Sequence, residues 1–241
     1  GPEKFLLGEV WEDATTKYGF GQRRTYLLGK GLDSVMNYPF KNAVLDFVKG
    51  KPAEQAMGEI LSICEHYPAP AMDTALNFLS THDTERALTV IADEPANGRG
   101  REWQSGRSVT GEAYEEGMLR LRMAYAIIYT LPGVPCLYYG DEIGMQGYRD
   151  PFNRGYYCWD SHEKRLRPVL AQLAQLRHSC EAFRTGALRV LRAEGGILHY
   201  QRIGEAETAE IIVNRTEHII VEPLASGKHT EVNPMGFTIV V

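Results

Sequence analysis

The sequence predicts an α/β fold with parallel strands and helical crossovers, followed by a small antiparallel all-β domain. Apolar runs alternate with segments of helical periodicity up to about residue 180 of the 241, which is typical of parallel strands joined by helices. Beyond residue 184, short runs rich in Ile and Val are separated by Gly, Asn or Pro, as in antiparallel strands joined by turns. We therefore predict two domains, residues 1–183 and 184–241.

The individual elements follow from the spacing of apolar residues. Predicted strands of the first domain cover residues 4–8, 34–36, 75–79 and 134–139. Helical periodicity covers residues 40–49, 52–66, 112–130 and 163–179. We place Pro52 in the first turn of its helix, where a missing N–H needs no partner. Predicted strands of the second domain cover residues 188–190, 197–200, 211–213, 219–221 and 237–241.

Charge and cysteine usage exclude several classes of protein. The formal net charge is −5 and the isoelectric point is about 5.8, which disfavours nucleic acid or an anionic membrane as partner. No apolar run is long enough to span a bilayer. The four cysteines are widely scattered and form no C-x-x-C pair, so we predict no zinc site. Such cysteines favour a reducing compartment, and we predict a cytoplasmic location.

Polar residues follow three of the predicted strands. Glu9 follows the first strand, and the pair His82 and Asp83 follows the third. Asp141 and Glu142 follow the fourth. Because the carboxyl ends of parallel strands lie together on one side of the fold, these groups are expected to converge there.

Paired carboxylates next to aromatic rings suit cleavage of a glycosidic bond, in which one carboxylic acid protonates the leaving oxygen. Trp11 and Tyr38 offer flat apolar faces for sugar rings. Other interpretations stay open from the residues alone. Glu9 would serve equally as a loop residue or helix cap, and His82 with Asp83 as a loop hydrogen bond. A metal site is a further alternative, although no H-x-x-x-H spacing supports it.

Five segments together resemble the alpha-amylase superfamily of glycoside hydrolases, in the family's order along the chain. They are GEVWED at 8–13, DSVMNYP at 33–39, FLSTHDTER at 78–86, PGVPCLYYGDEIGM at 132–145 and DPFNR at 150–154. The segment at 33–39 resembles the neopullulanase, cyclomaltodextrinase and maltogenic amylase branch. Thr81 stands where many members carry Asn, which we interpret as a difference between branches.

The resemblance implies a role for seven residues. Glu9 would be the general acid/base, Asp83 the transition-state stabiliser and His82 a ligand of sugar hydroxyls. The remaining four would bind substrate, on the leaving-group side through Trp11 and Tyr38 and on the opposite side through Asp150 and Arg154. The implied activity is that of a retaining hydrolase or transglycosylase acting on α-1,4 and, as an open option, α-1,6 glucosidic bonds.

The resemblance also implies a fold and a truncation. The first domain would be the C-terminal half of a (β/α)8 TIM barrel, strands five to eight, and the second a C-terminal β-sandwich. The fourth-strand run G-x-R-x-D, which carries the nucleophilic Asp, has no suitably placed counterpart. We therefore expect the chain to be a fragment that is inactive alone.

The expected partners are an α-glucan oligosaccharide and either a second copy of the chain or the missing half barrel. We predict no cofactor; the resemblance allows calcium in a longer protein, but no site for it is identified.

Two alternative functions remain. One is a non-catalytic carbohydrate- or partner-binding member of the superfamily, and the other is a different branch, such as an oligo-1,6-glucosidase or a trehalose-forming enzyme.

Overall fold

The computed structural model describes residues 3–29 and 31–241. The helices are α1 (Tyr38–Lys49), α2 (Ala53–His66), α3 (Ala69–Asp73), α4 (Ala87–Ala92), α5 (Arg101–Ser105), α6 (Gly111–Thr130), α7 (Leu166–Ser179) and α8 (Ala182–Thr185). The strands before α7 are β1 (Leu7–Gly8), β2 (Tyr18–Gly19), β3 (Gln22–Arg23), β4 (Ser34–Val35), β5 (Leu76–Asn77) and β6 (Val134–Pro135). The strands after α8 are β7 (Ala187–Glu194), β8 (Ile197–Ile203), β9 (Thr208–Asn214), β10 (Ile220–Pro223), β11 (His229–Val232) and β12 (Gly236–Val240).

Four short strands lie side by side and parallel in the order β1, β4, β5, β6. β1 pairs with β4, and β5 pairs with β6. A parallel bridge between Met36 and Leu76 joins the two pairs. The predicted parallel arrangement is therefore present, but each strand has only two residues instead of the three to six predicted. Regular pairing is limited because β1 and β6 each pair with one neighbour among the described residues.

Buried amides tie the ends of these strands together. Asn37 Nδ2 donates to Asn77 Oδ1 over 2.8 Å, and Asn77 Nδ2 donates to the Pro132 carbonyl over 2.7 Å. Both asparagines are completely buried. Because a buried amide without partners costs free energy, these bonds specify how the three strand ends meet.

Local sequence determines where α1 begins and ends. The Asn37 side chain accepts a hydrogen bond from Phe40 N over 3.3 Å, and Pro39 lies in the first turn. Gly50 ends the helix at φ 135°, a conformation that other residues rarely adopt. Pro52 lies at the N-cap of α2 and not in its first turn, which corrects our prediction by one position. Within the described residues, no helix is both long and apolar enough to cross a membrane.

The C-terminal part is antiparallel, as predicted. β7 to β9 and β12 form one sheet in the order β12, β9, β8, β7, and β10 pairs with β11 as a hairpin. The sequence prediction missed β11, whose residues His-Thr-Glu-Val are mostly polar. A single hydrophobic core includes Tyr200 and Ile211 of this sheet together with Leu121 and Ile127 of α6. The predicted boundary at residue 184 therefore does not interrupt the core.

Several short elements were also absent from our predictions. The segment between β1 and β4, in which we predicted no strand, contains the hairpin β2–β3, whose turn is formed by Phe20 at φ 54° and Gly21 at φ 78°. Helices α3, α4, α5 and α8 have only four to six residues each. Elements of this length are too short to display the apolar periodicity from which helices are recognised.

Arg202 of β8 connects the C-terminal sheet to the helical part. It is completely buried, and burial lowers its pKa to about 10. Arg202 Nη1 donates to the Thr130 carbonyl at the end of α6 over 2.7 Å. Its Nε and Nη2 donate to the Gly186 carbonyl over 3.1 and 2.8 Å. The guanidinium group thus satisfies two carbonyl groups at the junction.

We predict that Arg202→Met lowers the free energy of unfolding by about 2–4 kcal/mol, because two buried carbonyl groups lose their donors. Urea denaturation followed by circular dichroism would measure the change. The matched control is Arg189→Met, at an exposed arginine of β7, which we expect to change it by less than about 0.5 kcal/mol. Equal stability of the two variants would contradict the assigned role of Arg202.

Candidate active site

Glu9 lies directly after β1, and two hydrogen-bond donors meet at one of its oxygens. The Tyr38 hydroxyl donates to Glu9 Oε1 over 2.8 Å. The Trp11 indole Nε1 donates to the same oxygen over 3.2 Å. Tyr38 is the first residue of α1 and follows Asn37, whose N–H donates to the Leu76 carbonyl of β5 over 2.8 Å. The ends of neighbouring strands therefore bring these side chains together, as the sequence predicts for Glu9.

The aromatic rings form a layered stack beside Glu9. Trp11 and Tyr38 are nearly parallel, at 12°, with ring centroids 4.5 Å apart. Phe78 meets Tyr38 edge-on, with a centroid distance of 4.8 Å. Trp11 is 49% exposed, whereas Tyr38 is 1% exposed. Trp11 therefore keeps an aromatic surface that is open to solvent. The expectation that Tyr38 lines the leaving-group side is corrected, because its ring is covered by its neighbours.

Tyr38 also connects Glu9 to the segment that follows β5. Burial raises the pKa of Tyr38, and the hydrogen bond to Glu9 raises it further. The nearby negative charge of Asp83 acts in the same direction, whereas the Thr81 side chain opposes it. Glu9 follows β1 and Asp83 lies on the segment that follows β5, and these strands run parallel in one sheet. Both residues therefore lie toward the carboxyl ends of the strands.

The four other predicted site residues form a connected polar cluster. His82 Nε2 lies 3.2 Å from Asp83 Oδ2. Arg154 Nη2 donates to Asp83 Oδ1 over 3.1 Å, and Arg154 Nε lies 3.0 Å from Asp150 Oδ1. Arg154 and His82 are exposed, and Asp83 is partly exposed. The cluster can therefore offer both donors and acceptors to hydroxyl groups of a ligand.

Asn153 holds this cluster in place and was missed as a functional residue. It is completely buried, and its Nδ2 lies within 3.2 Å of the carbonyl oxygens of Thr81, His82 and Thr84. Arg154 Nε adds a bond to the His82 carbonyl over 2.9 Å. A single amide thus determines the path of the chain around Asp83. Its place within the DPFNR segment was the available signal, but the sequence did not show which carbonyl groups it meets.

Asp141 is not a ligand-facing carboxylate, contrary to the expected convergence after all the strands. It is 1% exposed and accepts hydrogen bonds from Ser80 Oγ and Tyr125 OH, each over 2.6 Å. Arg86, also completely buried, donates to it over 3.2 Å. Burial raises the pKa of Asp141, although these three donors oppose that change. The pair anchors the segment behind His82 and Asp83 and has no contact with solvent.

Glu142 likewise has structural partners. Its Oε2 accepts a hydrogen bond from Gly140 N, and its Oε1 accepts one from Tyr157 OH, both over 2.8 Å. Gly140 has a φ of 87°, and a side chain there would collide with Met145, whose Sδ lies 2.2 Å from the Cβ position. Only glycine permits this turn, which directs Asp141 inward.

Asp13 anchors the loop that carries Trp11. Asp13 Oδ1 accepts hydrogen bonds from Thr15 N over 2.8 Å and from Thr15 Oγ1 over 2.6 Å. Asp13 Oδ2 lies 2.5 Å from His66 Nδ1 at the end of α2. Burial is the largest single influence on the pKa of Asp13 and raises it, but the bonds from Thr15 and His66 together outweigh burial. The pKa is therefore held below its ordinary value of 3.8.

The described part of the chain contains no group of three or more His, Cys, Asp or Glu side chains placed to hold a metal ion.

Similarity to known proteins agrees with this geometry. Residues 2–185 match the model of the alpha-amylase catalytic domain. The chain is 31% identical to a cyclomaltodextrinase of Bacillus sp over 238 residues, which cover 95% of this chain and 36% of that protein. It is 32% identical to an amylopullulanase of Thermoanaerobacter thermohydrosulfuricus over 213 residues, which cover 83% of this chain and 13% of that protein.

The fold is similar to that of the type III pullulan hydrolase from Thermococcus kodakarensis. The TM-score is 0.80 and the sequence identity is 25%, over 99% of this chain and 40% of that chain. This chain thus spans about a third of the length of the cyclomaltodextrinases that it matches.

We predict that Asp13→Asn destabilises the chain at pH 7 by about 1–2 kcal/mol, because a charged acceptor of several hydrogen bonds is lost. An acid whose pKa is lowered by folding stabilises the folded state above its unfolded pKa. That contribution disappears as the pH falls below 3.8 and through the lower pKa of the folded state. Urea denaturation of both proteins at pH 7 and pH 3 would test this. A difference that stays constant with pH would contradict it.

Proposed function

The chain belongs to the alpha-amylase family of glycoside hydrolases, and we propose that it forms part of a retaining α-glucan hydrolase or transglycosylase. The proposed substrates are starch-derived oligosaccharides, cyclodextrins or pullulan, cleaved at α-1,4 and optionally α-1,6 bonds. The names of the cyclomaltodextrinase, amylopullulanase and pullulan hydrolase relatives support this substrate class.

The observation that carries the proposal is that Glu9 directly follows β1, Tyr38 follows the end of β4, and Asp83 lies on the segment that follows β5, in one parallel sheet. Tyr38 donates a hydrogen bond to Glu9 and lies near enough to Asp83 for its charge to act on the hydroxyl group. Two carboxylates beside an exposed indole suit an oxocarbenium-like transition state. We assign Glu9 as general acid/base and Asp83 as stabiliser of that transition state.

The surrounding residues suit two sides of a sugar-binding cleft. On the leaving-group side, a sugar ring would stack on the exposed face of Trp11. On the opposite side, Asp150 and Arg154 would hold hydroxyl groups, together with His82. For retention of configuration, a nucleophilic carboxylate is required about 5–5.5 Å from Glu9. We propose that it comes from a strand that precedes β1 in the complete enzyme.

We also propose that β1, β4, β5 and β6 are strands five to eight of the family's barrel, with residues 184–241 as a C-terminal β-sandwich domain. Their parallel order supports this. Phe5, Leu6 and Leu7 are 40–56% exposed beside β1, and Val134 is 43% exposed in β6. Exposed apolar edges of this kind favour pairing with further strands. We therefore propose association with the remaining half barrel or with a second copy.

We predict that Glu9→Gln in the complete enzyme lowers kcat on maltooligosaccharides by about 100-fold or more, because an amide cannot donate the required proton. Thermal unfolding should stay close to wild type, since the amide oxygen still accepts the bond from Tyr38. Release of reducing sugar measures the activity, and Glu12→Gln, at an exposed neighbour, is the matched control. Near-normal activity of Glu9→Gln would refute the assignment.

We further predict that the purified chain alone does not hydrolyse maltooligosaccharides. Proton donation without an attacking carboxylate accelerates the reaction little, since the two groups act as a unit. Chromatographic analysis of products after long incubation would test this, with the complete enzyme as positive control. Turnover that survives in the chain but disappears in its Glu9→Gln variant would contradict the prediction.

A further inference from the structure

Both hydrogen-bond donors beside Glu9 donate to the same carboxylate oxygen, Oε1. The distances to Oε1 are 2.8 Å from the Tyr38 hydroxyl and 3.2 Å from the Trp11 indole nitrogen. The indole N–H can only donate, so an oxygen that faces it must accept. A protonated carboxyl group carries its hydrogen on one oxygen only. The oxygen that faces two donors is therefore the unprotonated one.

We propose that Tyr38 is a positioning residue for the general acid. Together with Trp11 it holds Glu9 Oε1 as an acceptor, so that Oε2 is the oxygen that carries and delivers the proton. This inference rests on the proposed role of Glu9 and adds a residue that acts through it. Tyr38 does not touch substrate in this arrangement, because its ring is covered.

The surroundings of Tyr38 suit this task. The ring is 1% exposed, stacked on Trp11 and met edge-on by Phe78. A buried ring with neighbours on two sides cannot rotate away without losing packing. The raised pKa of Tyr38 keeps its hydroxyl group protonated across the working range of pH. The hydroxyl group is therefore a permanent donor aimed at Oε1.

The proton balance of the first chemical step follows directly. The bond between C1 and the glycosidic oxygen breaks, and its electron pair stays on that oxygen, which takes the proton from Glu9 Oε2. C1 accepts an electron pair from the carboxylate nucleophile. In the second step water attacks C1, the nucleophile leaves with its electron pair, and Oε2 takes a proton from the water. Oε1 keeps its two donors throughout.

Trp11 connects this arrangement to substrate binding. One face of the indole is covered by Tyr38, yet the side chain is 49% exposed. A leaving-group sugar on its open face would therefore contact the same residue that holds Oε1. Sugar stacking and orientation of the acid thus depend on one side chain.

The first test compares two leaving groups in the complete enzyme. Tyr38→Phe should lower kcat/KM for maltotriose by about 10- to 100-fold, because the acid is no longer oriented. It should change kcat/KM for α-maltosyl fluoride by less than about twofold, since fluoride departs without general-acid assistance. Tyr18→Phe, at a tyrosine 70% exposed on the β2–β3 hairpin, is the control. Equal losses on both substrates, or no loss on either, would overturn the proposal.

The second test needs no turnover and uses the chain itself. The indole proton of Trp11 in nitrogen-15 NMR spectra reports its hydrogen bond to Glu9 and is assigned with Trp11→Phe. Glu9→Gln should move this proton upfield, because a charged acceptor is lost. Tyr38→Phe should move it downfield, because Oε1 then serves one donor, and Tyr18→Phe should leave it in place. An indole proton whose chemical shift stays the same in both Glu9→Gln and Tyr38→Phe would overturn the proposal. A complete enzyme that cleaves neither substrate would refute the proposed function instead.

Discussion

The buried hydroxyl group of Tyr38 is the contact on which the candidate site depends. It stands where β4 passes into α1, between the segment after β1 and the segment after β5. Because Asn37 is hydrogen-bonded to Asn77 inside the protein, Tyr38 has little freedom to shift along the sheet. Its ring supports Trp11 and its hydroxyl group binds Glu9. Glu9 and Tyr38, which lie 29 positions apart in sequence, are thereby held at hydrogen-bonding distance.

Behind the exposed groups lies a layer of buried polar residues that specifies the geometry. Arg86 and Asp141 form a buried pair, and the rings of Tyr138 and Tyr139 lie 4.7 and 4.8 Å from the Arg86 guanidinium. Buried ion pairs contribute little net stability, since desolvation offsets their attraction. Here the pair specifies geometry, because the hydrogen bonds from Ser80, Tyr125 and Arg86 together hold the Asp141 carboxylate in one orientation. Asn153 extends the same principle to the chain around Asp83. The exposed cluster is therefore supported by groups that substrate never reaches.

Sequence patterns predicted the long elements well and the short ones poorly. Helices α1, α2, α6 and α7 were predicted from apolar periodicity, with bounds that differ from the structure by one to three residues. The parallel and antiparallel parts were also predicted. The hairpin β2–β3, the helices α3, α4, α5 and α8 and strand β11 were not, because two to six residues carry no periodic signal. Strands β1, β4, β5 and β6 were all predicted too long, since strand length depends on a paired neighbour and not on composition.

By itself, the sequence determined which chemical groups follow which strands, and family-specific segments predicted Glu9, His82 and Asp83 as site residues. It could not distinguish exposed from buried members of the set. Only the tertiary structure decided that the Tyr38 ring is covered by Trp11 and Phe78. It likewise decided that Asp141 is buried and hydrogen-bonded to Arg86. The physical reason is that exposure and hydrogen-bond partners arise between segments far apart in sequence, 61 positions in the case of Ser80 and Asp141. Residue type and local spacing do not predict those long-range contacts.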